Sequence, residues 1–118
     1  MKILKTSADL TNKESYALTM SPAVQKMKNA VGQQLTVAKW CIYQDVNAKD
    51  GKEQTIVAIM TPEHEVFATN SATFLRDFEQ MCDILADDLA AGEALEIKVL
   101  TGTSKSGREF ITCALAAF

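Results

Sequence analysis

A mainly β fold with helices is predicted for this 118-residue chain from three observations. Five segments rich in β-branched and aromatic residues recur along residues 34–118. Polar or glycine-bearing turns separate them, and one long amphipathic helix falls between the third and the fourth. Strand-strand-strand-helix-strand-strand is the order of the OB-fold, a five-stranded Greek-key barrel. The chain is expected to be one domain, with residues 1–33 as a short helical lead-in and residues 34–118 as the barrel.

The elements follow in order. Thr11-Asn12-Lys13-Glu14 fits a capping box, in which the Thr hydroxyl and the Glu carboxylate satisfy each other's backbone donors, so a short helix through Tyr16 and Leu18 is expected. Ser21-Pro22 reads as an N-cap with proline at the first helical position, starting a second short helix to about Asn29 with Val24 and Met27 facing in. Leu35 to Val46 (LTVAKWCIYQDV) is a long first strand, long because it must serve both halves of a barrel. Asn47 to Glu53 is a polar loop with an Asp50-Gly51 turn signal. Gln54 to Thr61 is the second strand, Pro62 to Glu65 a turn, and Val66 to Asn70 the third strand. After the helix, Ala94 to Thr101 alternates, with Leu95, Ile97 and Val99 on one face and Glu96 and Lys98 on the other. The segment 102–107 is a turn, and Arg108 to Ala117 is the last strand, with Ile111, Cys113 and Leu115 inward and Arg108, Phe110 and Thr112 outward.

The helix over residues 71–91 rests on its spacing. Phe74, Phe78, Met81, Leu85 and Leu89 recur at intervals of three and four, and Leu75 and Cys82 widen the stripe. Ser71 or Thr73 can cap its start, and Gly92 stands where a left-handed residue is wanted past its end. Asp77, Glu79, Asp83, Asp87 and Asp88 fall off the stripe, on the side expected to be wet.

Composition excludes several classes. No apolar run approaches the roughly 18 residues a membrane helix needs, and the opening MKILKTSADLTNKE has no apolar core of a secretory signal. Cytoplasmic residence is the default expectation. The three cysteines, Cys41, Cys82 and Cys113, match no zinc or CxxC spacing and read as buried small hydrophobes. His64, the one histidine, sits in a turn, and no carboxylate pair lies in an apolar setting suited to acid–base work. The glycine-bounded 102–107 loop precedes a strand and lacks P-loop spacing. An enzyme is therefore not expected, nor a cofactor, nor a metal.

The net charge of −3 argues against simple nucleic-acid adhesion, but its distribution reopens the question. Residues 71–92 hold five acids and one base, a net of −4, which leaves 11 bases against 10 acids, a net of +1, for the rest. Single strands are held by a positive groove along the phosphates and by aromatic rings under the bases. On an OB-fold that site crosses strands 2 and 3 between two loops. The first loop carries Lys49 and Lys52; the second carries Ser104, Lys105 and Ser106, with Arg108 at its exit and Phe110 on the same strand face as Arg108. An outward Phe110 also suits a subunit interface. Trp40, Tyr43 and Phe67 are the other ring candidates, and Lys39 and Lys98 the other cations. Trp40 and Tyr43, three apart, point to opposite faces unless a bulge intervenes, and Lys39 and Tyr43 share parity with Leu35, Val37 and Cys41, so alternation leaves the inward face open.

Two stretches go beyond composition: Ala68-Thr69-Asn70-Ser71-Ala72-Thr73-Phe74-Leu75-Arg76-Asp77-Phe78 and Gly102-Thr103-Ser104-Lys105-Ser106-Gly107-Arg108-Glu109-Phe110-Ile111-Thr112-Cys113. With the opening Met1-Lys2-Ile3-Leu4-Lys5-Thr6-Ser7 and the Leu10-Thr11 region, they resemble small phage-type single-stranded DNA-binding proteins of Gram-positive hosts, over less than half the chain. The resemblance implies an OB-fold that coats single-stranded DNA without strong sequence preference during phage or mobile-element replication or recombination. Expected partners are single-stranded DNA, further copies of the chain as a dimer or higher, and replication or recombination proteins, with no membrane. Bacterial proteins of this kind carry an acidic tail ending in Pro-Phe; here Cys113-Ala114-Leu115-Ala116-Ala117-Phe118 has the terminal ring without the acidic run. The sequence pI of about 5.1 motivates the alternative, a non-enzymatic protein-interaction module of the same fold that engages host machinery or defence systems.

Overall fold

Two sheets, with eight strands between them, carry the described residues 1–7 and 10–116 of the computed structural model. The strands are β1 (Lys2–Thr6), β2 (Gln25–Lys26), β3 (Gln34–Val37), β4 (Lys39–Val46), β5 (Glu53–Met60), β6 (Val66–Thr69), β7 (Leu95–Thr103) and β8 (Glu109–Leu115). The helices are α1 (Asn12–Thr19), α2 (Ala72–Ile84) and α3 (Ala86–Ala90), with a 3-10 turn at Met27–Ala30. The larger sheet runs β1-β4-β5-β6-β2 and the smaller β3-β7-β8. The fold is mainly β, but among the described residues β6 and β8 do not pair, so the two sheets do not close into one barrel.

The lead-in departs most from expectation. Thr11 does cap α1 in a capping box: the Glu14 N–H donates to Thr11 Oγ1 at 3.1 Å, and the Thr11 N–H donates to Glu14 Oε1 at 2.9 Å. That second bond, more than any other influence, holds the Glu14 carboxyl below its usual range. The second lead-in helix is absent. Gln25 and Lys26 instead pair in parallel with Phe67 and Ala68, and only a 3-10 turn follows. Proline at a first helical position is permissive for a helix and does not compel one, and sheet hydrogen bonds on the free edge of β6 compete for the same residues. Met27 is fully buried all the same. Residues 2–6, unassigned from sequence, form a strand; β1 pairs antiparallel with β4, with a bulge between Ile3 and Lys5.

The segment 35–46 is not one continuous strand. It divides at Ala38, whose N–H donates to Met60 O at 2.8 Å, into β3 of the small sheet and β4 of the large one. The break resets the parity. Leu35 and Val37 face the main core before it; Ile42 and half-buried Trp40 face that core after it, while Cys41 and Tyr43 turn to the opposite face. No single inward face exists to be found, because the large sheet is buried on both sides. Its main-core side holds Ile42, Val57, Ile59 and Phe67 against α2 and the small sheet. Its other side packs Cys41, Tyr43, Ala58 and Met60 against Leu18 of α1.

The long helix is broken as well. It stops at Leu85 (φ −96°, ψ 14°) and resumes as α3. Ser71 caps α2 by accepting from the Phe74 N–H at 3.2 Å, and Gly92 takes the left-handed conformation (φ 90°) past α3. Phe74 and Phe78 are fully buried, and Leu75, Met81, Cys82, Leu85 and Leu89 pack against the same core, so the stripe does plug it. Two of its acids are not on a wet side. Asp77 is half-buried and accepts from the Thr112 hydroxyl, and Glu79 pairs with Lys5 of β1 at 3.0 Å. Asp83, Asp87 and Asp88 are exposed. The last strand runs from Glu109 to Leu115, so Arg108 lies in the turn before it; Ala117 and Phe118 lie outside the described residues.

Candidate nucleic-acid interface

Ser71, two residues past β6, reaches over the seam left between β6 and β8, and its Oγ donates to Ile111 O at 2.6 Å. Over this seam lies a cleft of about 430 Å³. Its floor is Tyr43, Ile56, Ala68 and Ile111, and its walls carry Lys26, Lys28, Gln54 and Asn70. Antiparallel register sets Tyr43 opposite Ile56, and parallel register sets Lys26 beside Ala68, which is how cations reach the rim. Across the wall, Asn70 Nδ2 donates to Gln54 Oε1 at 2.9 Å.

The two loops singled out from sequence flank this cleft in the chain. Lys52 stands two residues before Gln54, and Arg108 three before Ile111, about 7 and 10 Å at the strand rise. In the first loop, Asn47 N–H donates to Lys52 O and Gly51 N–H to Asn47 O, both at 2.8 Å, which holds exposed Lys49 and Lys52 outward. In the second, Ser104 N–H donates to Arg108 O at 2.8 Å and Gly107 N–H to Ser104 O at 2.9 Å, with Gly107 left-handed (φ 82°). Lys105 and Arg108 are exposed on this tight turn, and neither makes an ion pair among the described residues.

Phe110 is held by a neighbour that strand alternation alone does not reveal. It lies directly across the ladder from Gly102, and a Cβ built there would stand 2.5 Å from the ring. The ring therefore rests on bare backbone, half-buried, with its orientation fixed from beneath.

The other candidate rings are differently placed. Phe67 is 5% exposed and faces the main core, so it offers no free face for stacking. Tyr43 is 4% exposed; its edge reaches the cleft floor while its hydroxyl donates to Thr19 O at 3.5 Å under α1. Trp40 meets Phe78 edge-on, with ring centroids 5.5 Å apart, on the opposite face of the sheet from the cleft. Lys39 is half-buried at the far end of β4 near Glu14, and Lys98 is exposed on β7 opposite Gln34 and Ala114. Lys49 and Lys52 lie in the loop before Gln54, and Lys105, Arg108 and Phe110 in the turn and strand start before Ile111; none of the five is among the residues that line the cleft. Nor are Lys39, Trp40 and Lys98 among them.

Lys26, Lys28, Gln54 and Asn70 are absent from the sequence-derived set. Lys26 and Lys28 flank Met27 with strand-like alternation, but a helix reading of 22–29 hides that signal. α2 packs on the main-core side of the large sheet, the core that cleft-lining Met27 and Ile111 also join, and its Asp77 accepts from Thr112, the neighbour of Ile111.

Comparison with known families gives a match over residues 1–116 to the family described as Phage Single-stranded DNA-binding protein, of the phi29 type. Neither the curated proteins nor the solved structures give a match.

Proposed function

The chain belongs to the phage single-stranded DNA-binding protein family, and on that footing we propose that it coats single strands through the cleft over the β6–β8 seam and the two basic loops beside it. Phosphates run along Lys26, Lys28, Lys49, Lys52, Lys105 and Arg108, and a base stacks on Phe110. The family match across nearly the whole chain carries the function. Lys26 and Lys28 on the cleft rim, and exposed Lys49, Lys52, Lys105 and Arg108, none of them in an ion pair among the described residues, support the placement. Strand order supports an OB-type reading of the fold, with β3 and β4 as a shared first strand, α2 as the plug and the β6–β8 seam left open. Its setting is phage or mobile-element replication or recombination in the host cytoplasm. The chemistry asked of it is binding, with no catalytic step.

Titration of labelled oligo-dT, followed by anisotropy, tests this. Binding is expected at micromolar or tighter Kd at about 50 mM salt, where base stacking and phosphate contacts both act. Single strands release roughly 0.7 counterion per phosphate contact, so six engaged cations give a log–log salt slope of about −4, and Arg108→Ala reduces its magnitude by about 0.7. Absence of binding to oligo-dT at the lowest salt would overturn the reading.

A further inference from the structure

Resting on the single-stranded DNA-binding reading, we infer that the Gln54–Asn70 amide pair on the cleft wall is a clamp for the hydrogen-bonding edge of one unpaired base, by which the protein tells single strands from duplex. The observation is a chemical one. Asn70 Nδ2 donates to Gln54 Oε1 at 2.9 Å, and neither amide has another hydrogen-bond partner among the described residues. That single bond fixes the two groups side by side while leaving Gln54 Nε2 with both hydrogens and Asn70 Oδ1 with both lone pairs. A free donor and a free acceptor are thus left on two linked side chains at the mouth of a cleft whose floor (Tyr43, Ile56, Ala68, Ile111) is largely apolar. The cleft's volume of about 430 Å³ lies within the range of roughly 300–1,000 Å³ that holds small organic ligands.

An unpaired base supplies the complement. Thymine offers a carbonyl oxygen beside N3–H, guanine O6 beside N1–H, adenine N1 beside its amino group, and cytosine N3 beside its amino group. Every base carries one acceptor next to one donor on this edge, so the clamp accepts all four and reads no sequence. In duplex DNA the same edge is occupied by the partner base, and the clamp has nothing to bind. Lys26 and Lys28 on the rim are placed to hold the phosphate of the inserted nucleotide.

The test alters the ligand, so that folding of a variant cannot blur it. Wild-type protein is titrated with oligo-dT and with an oligo of N3-methylthymine, which keeps the ring face and the phosphates but removes the N3–H donor. The expected result is at least about fivefold weaker binding to the methylated strand, the low end of what a paired base contact is worth, with an unchanged salt slope. Gln54→Leu, shown by thermal melt to be folded, is expected to bind the two strands alike. Equal binding of both strands by the wild type, or full discrimination retained by Gln54→Leu, would overturn the clamp while leaving single-strand binding intact. Failure of the wild type to bind plain oligo-dT overturns the functional reading itself, and the clamp with it.

Discussion

Phe110 and Gly102 show how much one residue pair can decide. An outward phenylalanine on a wet strand face, seen in sequence alone, suits either a stacking platform or a subunit contact. The cross-strand glycine explains why the ring can lie flat against the sheet. A side chain at position 102 would lift it. Gly102→Ala is therefore expected to weaken oligo-dT binding, and so is Phe110→Ala, by up to the roughly 1–3 kcal/mol that one stacked base contributes, or about five- to 150-fold in Kd. Anisotropy titration beside a thermal melt separates this from unfolding. Two variants that bind like wild type would show that no base stacks here.

Among the elements, α2 does two jobs from one residue. Ser71 Oγ accepts the Phe74 N–H to cap the helix and donates to Ile111 O to hold the seam below the cleft. Ser71→Ala removes the cap and leaves a strand carbonyl without its donor, so the expected loss is about 1–2 kcal/mol of unfolding free energy by urea denaturation. Thr11 also caps a helix, in an exposed box at α1, and serves as the comparison. If Ser71→Ala costs no more than a few tenths of a kcal/mol, the seam bond does not contribute as described. The cap and the apolar stripe of α2 were legible because they depend only on neighbours in sequence. The break at Leu85 was not, because spacing continues across it while the backbone does not.

At the scale of the whole molecule, burial of the thiols links stability to pH. Burial pushes Cys82 up to about 11 and Cys113 up to about 12, with neighbouring acids adding to each shift, and it raises Cys41 too. An unfolded thiol ionises near 8.5. Below that pH both states hold the proton and stability is unaffected. Above it the unfolded chain releases protons that the folded one keeps, so stability falls as pH rises, from about pH 9 toward 11. Tyr43, raised first by burial, acts in the same direction at the upper end. The melting midpoint should therefore be flat from about pH 7 to 8 and drop steadily above about 9. Replacing Cys113 with Ala should flatten part of that drop, and an unaltered profile would mean the thiols ionise freely in the fold.

Local pattern was already written in the chain. The Phe74–Phe78 stripe, the Thr11 box, and the left-handed Gly92 past the helix follow from periodicity, capping chemistry and backbone sterics. The charge pattern also set the acidic helix apart from the remaining cations. Packing in three dimensions settled where the chain changes sheets at Ala38, and hence that both faces of β4 are buried. It also settled that residues 2–6 and 25–26 become edge strands, and that β6 and β8 stay apart to leave the cleft. These are hydrogen-bonding choices between segments far apart in sequence. No side-chain alternation records them, because each edge takes whichever partner the packed core brings within reach.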